Sequence, residues 1–152
     1  MALNREYIGR KFVSERSYQV GREKIREFAS AIGDFNPAYH DVEAARALGH
    51  GDLIAPPTFA FIPAFRAMTA MMGDPELGLD LFRVVHGEES FSYERPIQAG
   101  DDLEVHSEVE DIRASGHNEF VTLRQDLVTV VGELVATTRA VIVSRGTALQ
   151  EG

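Results

Sequence analysis

One strongly apolar segment, Leu53 to Met72, precedes a C-terminal half built from period-two runs, and this ordering restricts the fold more than any other feature. After Pro56-Pro57, the residues Phe59, Ile62, Pro63, Phe65, Met68 and Met72 leave few polar positions beside Arg66 and Thr69. The segment therefore reads as a mostly buried central helix, and the fixed φ of the proline pair suits its first turn. From Phe82 onward the period changes. Phe91 and Tyr93, then Leu103, Val105 and Val109, then Phe120, Val121, Leu123 and Leu127 fall in alternating, β-rich runs. Ser115-Gly116-His117-Asn118 and Val131-Gly132-Glu133 supply the turns between them, and Ala136 to Val143, rich in Thr and Val, is the expected last strand. An apolar helix followed by consecutive long strands is buried when the sheet wraps around it. The predicted class is α+β, a long central helix wrapped by an antiparallel sheet.

The N-terminal third carries different signals. An early strand is expected from Lys11 to Val20. In the stretch from Val20 to Ile32, Ile25, Phe28, Ala29 and Ile32 share one helical face, and Gly33 ends it. Asp41 is placed to cap a short helix from Val42 to Leu48, with Glu43 favoured near its start by the macrodipole and Gly49 closing it. Arg95-Pro96 marks a strand exit.

Composition narrows the function. No linker or composition shift divides the 152 residues, so residues 1–152 read as a single domain. A formal net charge of -9 disfavours nucleic acid, whose phosphates need clustered Lys and Arg. The start, Met1 to Arg10, lacks the apolar core of a signal peptide, and Pro56, Pro57, Pro63 and Arg66 interrupt the only long apolar stretch, so no membrane span is expected. The absence of cysteine excludes disulfides and thiolate catalysis and fits a reducing cytoplasm. The five histidines form no tightly spaced ligand cluster, so a metal site has little support; no cofactor is expected.

Between the two N-terminal helices lies the polar run Gly33-Asp34-Phe35-Asn36-Pro37-Ala38-Tyr39-His40-Asp41, where a site would sit. The bland account is that Asp34 and Asn36 build the turn through their own backbones. His50 reads as an exposed loop residue, His106 as strand surface and His117 as a turn position. His86, before Gly87-Glu88 at a strand start, is either a hydrogen-bonded structural histidine or a site contact across a subunit interface. Met68, Met71 and Met72 fill the core or line an adaptable channel.

The loop resembles the Gly-Asp-x-Asn-Pro-x-His-x-Asp signature of MaoC-like (R)-specific enoyl-thioester hydratases and (3R)-hydroxyacyl dehydratases. The resemblance extends over Leu53-Ile54-Ala55-Pro56-Pro57-Thr58-Phe59, Val85-His86-Gly87-Glu88 and Tyr93-Glu94-Arg95-Pro96-Ile97-Gln98-Ala99-Gly100-Asp101. These elements look like the FAS1-like dehydratase branch, in particular the accessory subunit of heterodimeric (3R)-hydroxyacyl-carrier-protein dehydratases. The resemblance implies a hotdog fold, a dimer, and an acyl thioester of coenzyme A or acyl carrier protein as ligand. It also implies that an aspartate and a histidine share the water that adds to or leaves from the β-carbon, with the histidine as general acid and base.

Asp34 and His40 are then the catalytic candidates, and Asn36, Tyr39, Pro57, Thr58, Phe59 and His86 the substrate-binding ones. Two departures from the family pattern stand out. Tyr39 occupies the histidine position, and a phenol with an ordinary pKa near 10 is a poor base at neutral pH. His40 takes over only if the loop gains a residue. Pro57 occupies the position of a glycine whose N–H polarises the thioester carbonyl, and proline has no N–H. Loss of one such donor typically costs about a hundred- to a thousand-fold in turnover. The expected role is a substrate-holding, catalytically impaired subunit beside a catalytic MaoC-type partner. The alternative is a self-sufficient homodimeric hydratase using Asp34, His40 and the Thr58 N–H. A thioesterase rests on fold analogy alone, and a protein with no acyl ligand leaves the polar loop and apolar helix without a shared purpose.

Overall fold

Alternation along the C-terminal half produces the expected strands. In the computed structural model, which describes residues 2–149, these are β3 (Val84–Tyr93), β4 (Asp102–Ser115), β5 (Asn118–Thr129) and β6 (Leu134–Ser144). They pair antiparallel with the short β1 (Lys11–Val13) and β2 (Tyr18–Gln19) in the order β1-β4-β5-β6-β3, with β2 also on β4. Gly116 (φ 59°) and Gly132 (φ 95°) take the left-handed turn positions between long strands.

One face of this sheet is mostly apolar, crossed by a buried polar row of Ser107, Gln125 and Thr138. Leu103, Val105, Val109, Val121, Leu123, Leu127, Ala136, Ala140 and Ile142 are all buried there, each large side chain contributing about 1.5–3 kcal/mol of burial. Across it lies α3 (Phe61–Met72), which buries Pro63, Ala64, Met68 and Met71. The sheet curved round one helix is the expected α+β hotdog arrangement. Among the described residues no helix is long and apolar enough to cross a membrane.

Three expectations need correction. The central helix begins at Phe61, not directly after Pro57. Residues 57–60 instead form successive turns, with Phe59 N–H donating to Pro56 O (2.9 Å) and Phe61 N–H to Thr58 O (3.1 Å), while the Pro57 carbonyl accepts from the Tyr93 hydroxyl. The helix is also only half covered: Phe65, Arg66, Thr69 and Ala70 are exposed, because the sheet packs on one side. Finally, the early strand is broken. The Ser14 hydroxyl accepts from Val105 N–H (3.0 Å), replacing the ladder bond, and residues 14–17 rise off the sheet as a strap.

The N-terminal helices α1 (Arg22–Ala31) and α2 (Val42–Ala47) close the end of the sheet near the start of α3. Ile25 and Ala29 of α1 are buried and Phe28 partly so, but Ile32 lies beyond the helix and is half exposed. Asp41 caps α2 as expected, its carboxylate accepting from Glu43 N–H at 2.9 Å.

Candidate functional site

The position of Asp34 follows from how α1 stops. Gly33, at φ 72°, lets Asp34 N–H donate to Ala29 O (2.9 Å) and Gly33 N–H to Ser30 O (3.1 Å), the paired bonds of a Schellman ending. The Asp34 carboxylate then accepts from Asn36 N–H (3.1 Å), and the Asn36 amide oxygen from Ala38 N–H (3.1 Å). Both side chains thus build the turn, as the bland account holds.

Residues 37–39 coil into a short 3-10 turn that sends adjacent residues in opposite directions. Tyr39 goes inward and is buried with Ile25, Ala29 and Ala38. Burial pushes its phenol pKa up, and the charge of Asp34 adds to the rise. His40 turns back over the loop, half-buried, with Nε2 lying 3.0 Å from the main-chain oxygen of Asp34 and its ring stacked on Phe35. Arg26 of α1 holds the segment by donating to His40 O at 2.9 Å. The structure therefore brings His40 to Asp34, but to its backbone.

The remaining predicted site residues gather where α3 begins. Pro57 and Thr58 are exposed, and the Thr58 N–H makes no hydrogen bond among the described residues. Phe59 is fully buried, edge-on to Phe28 (5.5 Å) and Tyr18 (6.3 Å), so it shapes the site from behind. Tyr93, placed by its sequence in a strand and in the family resemblance but not among the site candidates, ties this corner to β3 through Pro57 O. Burial raises its pKa to about 12, partly offset by the Ala60 N–H.

His86 lies on β3 with a partner that the sequence reading missed. Its Nε2 is 2.8 Å from Glu89 Oε2 and 2.9 Å from Glu88 O, and its ring packs on Phe61. Residues three apart on a regular strand face opposite sides. A bulge at Gly87 undoes this: His86 pairs with Ile142 and Glu88 with Val141, so His86 and Glu89 both face the helix. The isolated glycine in a strand run was the available signal. Burial raises the Glu89 carboxyl pKa, with His86 opposing the rise.

The other histidines sit apart. His106 is exposed and paired with Glu104, and His117 is in a turn. His50 is half-buried rather than exposed, because its N–H folds back onto Ala45 O at the end of α2. Among the described residues no group of three His, Cys, Asp or Glu side chains is arranged to hold a metal ion.

A cavity of about 660 Å³ runs along α3 on the side away from β3, between the helix, β4 and the strap of residues 14–17. Ala67, Ala70, Met71, Leu103 and Val105 give it an apolar lining; Met71, buried like Met68, is at its wall, whereas Met68 is not.

Comparison with known proteins agrees with this fold. A family model described as "FAS1-like, dehydratase domain region" matches residues 6–138. A Streptomyces griseus protein, described as a UPF0336 protein, is 52% identical over 145 residues, 95% of this chain and 97% of its own length. One from Saccharopolyspora erythraea is 51% identical over 148 residues, 97% of this chain and 95% of its own length. Among solved structures, a "MaoC-like dehydratase" matches 91% of this chain with TM-score 0.85 and 33% identity, the match spanning 42% of that larger chain. The C-terminally truncated HadBC (3R-hydroxyacyl-ACP dehydratase) complex of Mycobacterium tuberculosis matches 90% of this chain and 96% of its own with TM-score 0.83 and 28% identity.

Proposed function

This chain belongs to the FAS1-like dehydratase family, and we propose that within it the protein is the acyl-chain-binding, catalytically impaired partner of a MaoC-type subunit. The pair would form a cytoplasmic (3R)-hydroxyacyl-thioester dehydratase, which in reverse hydrates an enoyl thioester of coenzyme A or acyl carrier protein.

The observation that carries this reading is the divergence of Tyr39 and His40. Dehydration removes a proton from C2 and the hydroxyl from C3, and the same base and acid must reach both. Tyr39, in the family's histidine position, is buried with its pKa raised, which leaves still less phenolate at neutral pH to act as a base. His40 engages a backbone carbonyl rather than the Asp34 carboxylate that would orient and charge-stabilise it. Pro57 offers no N–H to a developing oxyanion. The apolar cavity beside α3 supplies what a substrate-holding subunit needs.

The partner has a surface to meet. β3 ends the sheet with an unpaired edge, and beside it Leu81, Phe82 (95% exposed) and Val85 present apolar surface to solvent. Such an edge is covered by another chain in a stable assembly.

One arrangement favours a self-sufficient homodimer instead: the exposed residue Thr58 has an N–H with no hydrogen bond among the described residues, and His40 remains on the Asp34 loop. Hydration of crotonyl-coenzyme A separates the two. The purified chain should be inactive alone and active with a MaoC-type protein carrying an intact Gly-Asp-x-Asn-Pro-x-His loop. Activity alone that disappears in His40→Ala would establish the homodimeric enzyme.

A further inference from the structure

Arg66 is a charged residue in the middle of α3, between the apolar neighbours Phe65 and Ala67, and it lines the cavity. Unlike Arg22, Arg26, Arg46, Arg95 and Arg139, it has no carboxylate partner among the described residues. Its guanidinium instead stands over the Tyr18 ring, 5.0 Å from the centroid. A guanidinium held against an aromatic face keeps its N–H donors directed and unspent.

The surrounding charges sharpen the picture. The Tyr18 phenol pKa is raised by burial, while Arg66 and Lys24 oppose the rise and Glu27 adds to it, so these charges converge on the phenol. Lys24 is tied to Glu27. Arg16 of the strap also lines the cavity. The acidic liners are Glu15, exposed on the strap, and Asp74, whose carboxylate is already taken by the Tyr7 hydroxyl (2.5 Å) and Glu76 N–H. From Pro63 to Met71 the apolar floor extends about 12 Å along the helix axis.

We propose that this cavity binds a single-chain amphipathic anion, its alkyl chain laid along Ala67, Ala70 and Met71 and its carboxylate or phosphate held by Arg66. Free carboxylate-terminated chains would then compete with the acyl thioester for the subunit. The inference rests on the proposed function in one respect, that the alkyl chain occupies this same cavity.

Calorimetric titration of the full chain with dodecanoate, dodecyl phosphate, dodecanol and dodecanoyl-coenzyme A, below their micelle concentrations, tests it. Dodecanoate or dodecyl phosphate should bind more tightly than dodecanol, the tighter of the two identifying the anionic group. Arg66→Gln should weaken that anion by at least roughly tenfold, Arg66→Lys by less, and neither should change dodecanol binding. Ala70→Trp, at an exposed position on the cavity wall, should abolish binding of all four. Anion affinity unchanged in Arg66→Gln, or dodecanol binding as tightly as both anions, overturns the proposal. If dodecanoyl-coenzyme A still binds and is blocked by Ala70→Trp, the acyl channel survives that failure; if none of the four binds, both readings fall.

Discussion

His40 Nε2 lies 3.0 Å from the main-chain oxygen of Asp34, so the imidazole donates its Nε2 proton to the backbone while the Asp34 carboxylate accepts from Asn36 N–H. A histidine in that bond contributes to loop geometry, whereas general acid-base residues contribute about a hundred- to ten-thousand-fold to rate. In a complex assembled with a MaoC-type partner, His40→Ala should lower turnover by less than roughly tenfold and leave the fold intact by circular dichroism. A thousand-fold loss would refute the accessory role.

Restoring the family pattern with Tyr39→His and Pro57→Gly should fail to produce an efficient enzyme. Position 39 faces the packed cluster of Ile25, Ala29 and Ala38, and an imidazole there is buried away from water. Crotonyl-coenzyme A hydration by the double variant alone should stay near background. A gain of several orders of magnitude would mean that only these two groups were missing.

Gly87→Ala should destabilise the protein by about 1–3 kcal/mol, the usual cost of overpacking. A Cβ there would stand 3.0 Å from Val143 Cγ2 and 3.2 Å from Val141 O, and the carbonyl cannot move without breaking the sheet. The bulge that places His86 beside Glu89 should be lost with it. Thermal unfolding and the imidazole chemical shifts of His86 would report the two effects separately, and an unchanged melting temperature would contradict the packing argument.

The same bulge shows where sequence reading stops. Alternation made the long strands legible, because period two follows from one buried face, and the capping residues Gly33 and Asp41 made the helix ends legible. The pairing of His86 with Glu89 was hidden because strict alternation puts residues three apart on opposite faces. Tyr39 turning inward and His40 turning back depend on a three-residue 3-10 turn that no periodicity announces. Arg66 read as a polar interruption of a buried helix, since only the sheet's one-sided packing leaves that face open to a cavity.

Thr138→Val should stabilise. Thr138 is fully buried between Gln125 of β5 and Phe91 of β3, and its hydroxyl has no hydrogen-bond partner among the described residues. Its neighbour Gln125 donates instead to Ala64 O (2.9 Å) and Ser107 Oγ (3.1 Å). An unsatisfied buried hydroxyl costs about 1–3 kcal/mol, so valine should raise the melting temperature by about 2–4 °C or more. A lower melting temperature would mean that a buried water serves the hydroxyl.

Glu89→Gln should change how stability depends on pH. Burial lifts the Glu89 carboxyl above its ordinary value of 4.5, against the opposing pull of His86. Between that ordinary value and the raised one, the folded state binds more protons than the unfolded state, so this group's contribution to stability falls as pH rises through the window. Asp52, held low by the Arg22 guanidinium, acts in the other sense, its contribution lost as pH falls through its depressed value. The Asp52 contribution is common to wild type and variant and cancels in their difference. The melting temperature of Glu89→Gln relative to wild type should therefore start near zero in acid, rise through the window and level off above it. Repeating the comparison in a His86→Asn background removes the opposing pull of the imidazole on Glu89, and a difference flat with pH in both backgrounds would place Glu89 in solvent-like surroundings.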